Sequence, residues 1–251
     1  MNLTTIISTQ NKYDGIFFKN ITAELNPNMH HFLIINQNGL LLENDVSSKV
    51  ININEHGLSK SRNKGIENLE ENGLCYFTDD DVVLKMNYDT IIINTHKKYP
   101  DYDIIIFKIK SDNELDFRLY PKNIKKLNRF TSRNVCSIEI TCKNSFIKKN
   151  KVFFDENCGL GTSIKSGEEW SFICDSIKKN ANVLFYPEYI VYHKKQSSTD
   201  VLNLESFKTM VFNLKRNLGL LSYIYIFNYF FNRKIRKKIN FLQWVSLFLN
   251  L

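Results

Sequence analysis

The sequence predicts an α/β fold: a mostly parallel central sheet followed by a short helical C-terminal extension. Three observations carry this. Short β-rich runs alternate with polar, helix-like segments along the first 110 residues. The runs are continuously apolar, as strands buried on both faces of a parallel sheet are. The chain has 251 residues, 43% of them hydrophobic, and only four prolines, which leaves room for one sizeable core.

The elements follow in order. "LTTIIST" opens the chain as a strand, and after a polar stretch "HHFLIIN" and "KVININ" supply two more. "LSKSRNKGIENLEEN" reads as a helix beginning after "HGLS", with Ser59 or Ser61 placed to cap it. "LCYFT" and "YDIIIFKIK" are further strands. In open α/β sheets ligands sit outside the carboxyl ends of the strands, so chemistry is expected at those ends.

One strand end stands out. "GLCYFTDDDVVL" runs from an apolar strand into Asp79, Asp80 and Asp81. Adjacent carboxylates repel, and a buried one without a partner is costly, so the cluster needs water, donor groups or a cation. A solvated turn in which an aspartate caps the next segment satisfies it, and so does a divalent metal. "GTSIKSGEEWSF" holds a second acidic pair, Glu168 and Glu169. They suit a helix N-terminus, where the macrodipole favours acids, and equally a proton-transfer role. Trp170 and Phe172 beside them are either core or the wall of a pocket. His193, after the apolar run "PEYIVY", is open to a packing role or a ligand role; the other four histidines, His30, His31, His56 and His96, carry no assignment.

Charge and cysteine usage bound the partners. The net charge is +8, but residues 201–251 carry eight Lys or Arg against the single acid Glu205, which leaves the first 200 residues nearly balanced. A nucleic-acid partner for the main domain is therefore not expected. This break sets the boundary between a domain over 1–200 and an extension over 201–251. In the extension "LGLLSYIYIFNYFF" is too short to span a bilayer, whereas "NRKIRKKIN" beside "FLQWVSLFLNL" has the composition of a helix lying on an anionic membrane surface. Packing against the core or in a homodimer is the alternative. A second basic stretch, "PKNIKKLNRFTSRN", reads as a solvated face or as a surface for an anionic acceptor. Five scattered cysteines without CxxC spacing, and an N-terminus without a basic region followed by an apolar one, predict a reduced, cytoplasmic chain.

Taken together, "GLSKSRNKGIENLEENGLCYFTDDDVVL", "TTIIST", "FLIINQ", "FDENCGLGTSIKSGEEWSFICDSIKKN" and "PEYIVYHKKQSST" resemble family 2 glycosyltransferases of the GT-A fold, of the bacterial surface-polysaccharide type. The resemblance covers roughly residues 3 to 199 in the family's order. It implies a Rossmann-like nucleotide-sugar-binding domain that transfers a sugar with inversion, from a UDP-sugar to a polyprenyl-linked glycan, at the inner face of the cell membrane. It implies Mn or Mg held by Asp81 and His193, with Asp79 at the ribose and Asp80 assisting. Thr9, Arg62 and Asn63 are implied beside the nucleotide. Where the family has an Asp that reads uracil, this chain has Asn36 followed by Gln37. The resemblance makes Glu169 the base and Glu168 its orienting neighbour, although the family's second residue is usually Asp. The competing expectations are an inactive membrane-surface or polyanion-binding module and a metal-dependent nucleotidyltransferase. The latter would leave "GEEWSF" idle, and no P-loop accompanies it.

Overall fold

The computed structural model describes residues 1–27, 30–46, 48–111, 115–194 and 204–230. In chain order the strands are β1 (Leu3–Gln10), β2 (His31–Gln37), β3 (Lys49–Ile53), β4 (Leu74–Asp79), β5 (Val82–Leu84), β6 (Ile104–Ser111), β7 (Lys125–Leu127), β8 (Ile140–Lys143) and β9 (Val183–His193). The helices are α1 (Ile16–Ile21), α2 (Glu43–Val46), α3 (Leu58–Glu67), α4 (Tyr88–Lys98), α5 (Asn144–Asn150), α6 (Glu168–Lys178), α7 (Leu204–Leu218) and α8 (Ser222–Phe230).

The strands form one sheet in the order β3-β2-β1-β4-β8-β6-β9-β5, with β7 also on β9. β1 to β4, β6 and β9 share one direction, and β5, β7 and β8 oppose it, so the sheet is mostly parallel as the apolar runs predicted. Alternation within each strand divides the core between its faces. Ile7, Ile34, Tyr76 and Phe107 pack under α1 and α4. Ile6, Ile35, Phe77 and Ile106 pack under α3 and α6. α3 approaches β1 closely because Gly65 has no side chain: a Cβ there would lie 2.5 Å from Cγ2 of Ile6.

The extension divides in two. α7 buries Phe207, Val211, Leu214 and Leu218, an i, i+4, i+7, i+11 stripe, against the domain. Asn213 donates to the Ser166 carbonyl at 2.8 Å, Asn217 to the Ser171 hydroxyl at 3.2 Å, and Arg216 pairs with Asp155 at 2.6 Å and Asp175 at 2.8 Å. α7 is thus fastened to α6 and to the loop before it, and is not a free surface tail. Beyond it, Leu220, Ile224 and Phe227 form an exposed apolar ridge. The basic block at 233–238 and the terminal aromatic run lie outside the described residues. Among the described residues no helix is long and apolar enough to cross a membrane.

Candidate active site

The sheet order turns at β1: β2 and β3 lie on one side and β4 on the other. Such a switch point opens a crevice outside the carboxyl ends of the strands. A cleft of about 490 Å³ lies there. Its floor is Ser8, Thr9 and Gln10 from β1, Gln37 from β2, Asp79 at the end of β4 and Asp80 and Asp81 just after it; the loop through His56 and Gly57, the residues Leu160 and Gly161, and His193 form its walls.

The three aspartates point to three different partners. Asp79 accepts from Nη2 of Arg62 at 3.2 Å and from the Ser137 hydroxyl at 3.3 Å. Asp80 turns the other way, accepting from the Thr9 hydroxyl and pairing with Lys12 at 3.0 Å. Asp81, 54% exposed, meets Nε2 of His193 at 3.4 Å. This last pairing follows from β5, whose Val82 lies opposite His193 in an antiparallel register with β9. The hydrogen bond from His193 lowers the Asp81 pKa and raises that of His193, and in each case partial burial opposes the shift. Repulsion among the acids is relieved by giving each its own cation or donor.

The glutamate pair opens α6, whose N-cap is Gly167 at φ +104°. A Cβ on Gly167 would overlap the Asn213 amide, so α7 closes directly on the start of this helix. Glu168 is buried, and Nη1 of Arg62 donates to it at 3.3 Å and to Glu169 at 3.4 Å. Arg62 is itself only 1% exposed. Burial first, then the neighbouring Glu168 charge, pushes the Glu169 carboxyl up to about 7, against the pull of Arg62. A carboxyl poised there can exchange a proton near neutral pH.

Several residues sit differently from the sequence reading. Asn36 does not line the cleft: its amide donates to the Lys12 carbonyl and to Asn52 and accepts from the Lys12 amide, which closes it inside the sheet edge. Gln37, one residue on, faces the cleft and donates to the Gly57 carbonyl at 3.1 Å. Asn63 clamps the loop before α6, exchanging hydrogen bonds with the Phe154 backbone and donating to Glu156. Arg62 lies in the second turn of α3, away from the cleft lining. Neither serine caps that helix. Gly57 is its N-cap, the Ser59 hydroxyl donates to the Cys158 carbonyl, and Ser61 is buried. Phe172 is core, stacked on Phe154 at 4.3 Å, and Trp170 donates its indole N–H to the Arg129 carbonyl at 2.7 Å, so neither walls an acceptor pocket. His56 and Leu160 at the cleft, and Lys12 on Asp80, are site residues to which the sequence assigns no role. His56 was findable, since it follows the carboxyl end of β3.

No family model matches the chain, and no curated protein matches it. Solved structures do. S. aureus TarS 1-349 superposes with a TM-score of 0.62 at 15% identity, over 91% of this chain and 66% of that one. The complex of S. aureus TarS 1-349 with UDP gives 0.60 at 15% identity, over 98% of this chain and 79% of the other. The longer S. aureus TarS structure gives 0.59 at 14%, over 98% of this chain and 48% of the other. The chain therefore spans about two thirds to four fifths of the shorter TarS and about half of the longer. What the three likenesses establish is the fold: a Rossmann-like α/β architecture shared with TarS.

Proposed function

We propose that the chain is a nucleotide-sugar glycosyltransferase of the GT-A type, taking a UDP-sugar as donor and transferring with inversion to a glycan hydroxyl. The observation that carries this is the pairing, through Arg62, of an acid-bearing strand end in a switch-point cleft with a glutamate whose carboxyl titrates near 7. That S. aureus TarS 1-349, which shares this fold, was crystallised in complex with UDP supports the choice of donor.

Direct displacement at the anomeric carbon needs a base for the acceptor proton on the side away from the leaving diphosphate. Glu169 is that base and Glu168 its buried neighbour. Gln37, Thr9 and the His56–Gly57 loop face the nucleotide. Asp81 and His193 fit a hard divalent cation. Their oxygen and nitrogen lie 3.4 Å apart at the cleft, and phosphate oxygens and water would complete the coordination. When bound, Mn or Mg would neutralise the charge developing on the diphosphate. Asp81→Asn should abolish metal-dependent UDP binding and Asp80→Asn, already engaged by Lys12, should weaken it far less. Calorimetry with UDP and Mn checks this; unchanged affinity in Asp81→Asn removes Asp81 from the site.

Because the base must be ionised, the transfer rate should rise with pH through about 7 and then level. A flat acidic limb down to pH 5 would contradict the assignment. For the acceptor we propose a polyprenyl-linked glycan at the inner membrane face, supported by the apolar ridge of Leu220, Ile224 and Phe227 next to the basic sequence at 233–238. Sedimentation with anionic but not neutral liposomes, lost on truncation after Phe230, is the expected result. The activity test is nucleotide release from a panel of nucleotide sugars with Mn or Mg; no release from any of them would end the transferase reading.

A further inference from the structure

We propose that Arg62 is a positioning residue that joins the base to the donor end of the cleft, rather than a ligand of the nucleotide. The proposal rests on the reading of Glu169 as the base. Three observations carry it. The guanidinium is 1% exposed and absent from the cleft lining, so a nucleotide in the cleft does not meet it. Its two terminal nitrogens divide their partners: Nη1 serves Glu168 and Glu169, while Nη2 serves Asp79 and, at 2.7 Å, the Ser137 hydroxyl. Ser137 in turn donates to the second oxygen of Asp79, which closes the network on the strand-end side.

This division has a physical consequence. Glu168 and Glu169 are adjacent and repel, and the charged groups facing Glu169 are Arg62 from α3, Asp79 from β4 and its own neighbour Glu168, with the Cys136 thiol ahead of β8. Arg62 is the cation of this set. Being planar and forked, it can hold both glutamates and Asp79 at once, which a lysine cannot. The base is thereby kept at a fixed place relative to β4. A displacement on the order of 1 Å costs about 10²-fold in rate.

The test uses the full chain with 13C-labelled glutamate, following the Glu169 carboxyl carbon, assigned by its loss in Glu169→Gln, across pH. It is combined with transfer rates and calorimetric UDP affinity. In Arg62→Met the Glu169 midpoint should move up by about 1 to 3 pH units, the worth of a nearby opposite charge. Arg62→Lys should move it less, yet still lower transfer by about tenfold or more, with UDP affinity within about threefold of wild type. Ser137→Ala removes the shortest bond to Arg62 without touching a glutamate, and should repeat the Lys pattern in smaller size if the Met variant does not fold. UDP affinity that falls in step with rate would make Arg62 a nucleotide ligand and overturn the proposal. So would an unmoved Glu169 midpoint in Arg62→Lys and Ser137→Ala. A wild-type chain that releases no nucleotide would sink the transferase reading instead, and the carboxyl titration would still judge the Arg62 bridge.

Discussion

Glu169→Gln is expected to keep UDP affinity and to lower transfer by a factor on the order of 10² to 10⁴, the usual worth of a positioned base. The substitution preserves shape and removes only proton acceptance. Arg62 loses one of its anionic partners but keeps Glu168 and Asp79, so the fold should stand. Glu168→Gln should be milder. It removes the like charge that helps raise the Glu169 carboxyl, so the acidic limb of the pH–rate profile should shift to lower pH. Steady-state transfer with a soluble acceptor, alongside calorimetry with UDP, separates the two. If Glu168→Gln were the dead variant and Glu169→Gln turned over normally, the roles within the pair would be reversed.

A chain ended at residue 203 is expected not to fold. It would expose the surface now covered by Phe207, Val211, Leu214 and Leu218. Burying each such side chain is worth about 1.5–3 kcal/mol, and the four together rival the roughly 5–15 kcal/mol that holds a whole domain. Arg216→Ala is the graded version. Burial opposes ionisation of Asp155 and Asp175, but Arg216, with Asn157 for the first and Lys178 for the second, outweighs it and leaves both carboxyls below their ordinary range. Groups lowered in this way contribute stability that is present above their unfolded pKa and lost as pH falls through the folded one. Arg216→Ala should therefore lower Tm by about 2 to 10 °C at neutral pH, with the difference shrinking in acid. Thermal melts at two pH values check this. An unchanged melt would show that the Arg216 ion pairs do not help to fasten α7.

The parallel strands were legible because buried strands announce themselves as apolar runs, and the strand-end acids because three aspartates cannot hide there. The acidic opening of α6 was legible for the same electrostatic reason. What escaped was set by distant partners. The sequence places Arg62 beside the nucleotide by resemblance alone, whereas its partners Glu168, Glu169 and Ser137 lie roughly 75 to 107 residues away in sequence and close around it only in the fold. Asn36 and Gln37 exchange roles because one residue along a strand reverses the face. β8 is four residues long, too short and too mixed in composition to signal a strand, yet it separates β4 from β6. Charge is what marks the α7 region in the sequence, whereas its buried stripe and its polar contacts at Asn213, Arg216 and Asn217 decide where it goes.

The short strand β5 bears on the order in which this protein is made. Three residues cannot hold a strand unaided, and the partner of β5 in the sheet is the far end of β9, so Asp81 has no fixed place until His193 has been synthesised. At roughly 5–20 residues per second that gap lasts about 6 to 22 s. During this time β1, β2, β3 and β4 can already pair, because their contacts are complete by residue 79. A nascent chain would thus carry the cleft's half of the sheet well before it carries Asp81 in position. The complete cleft should arrive as one late event, once β9 docks and α7 locks the helix that bears Glu169.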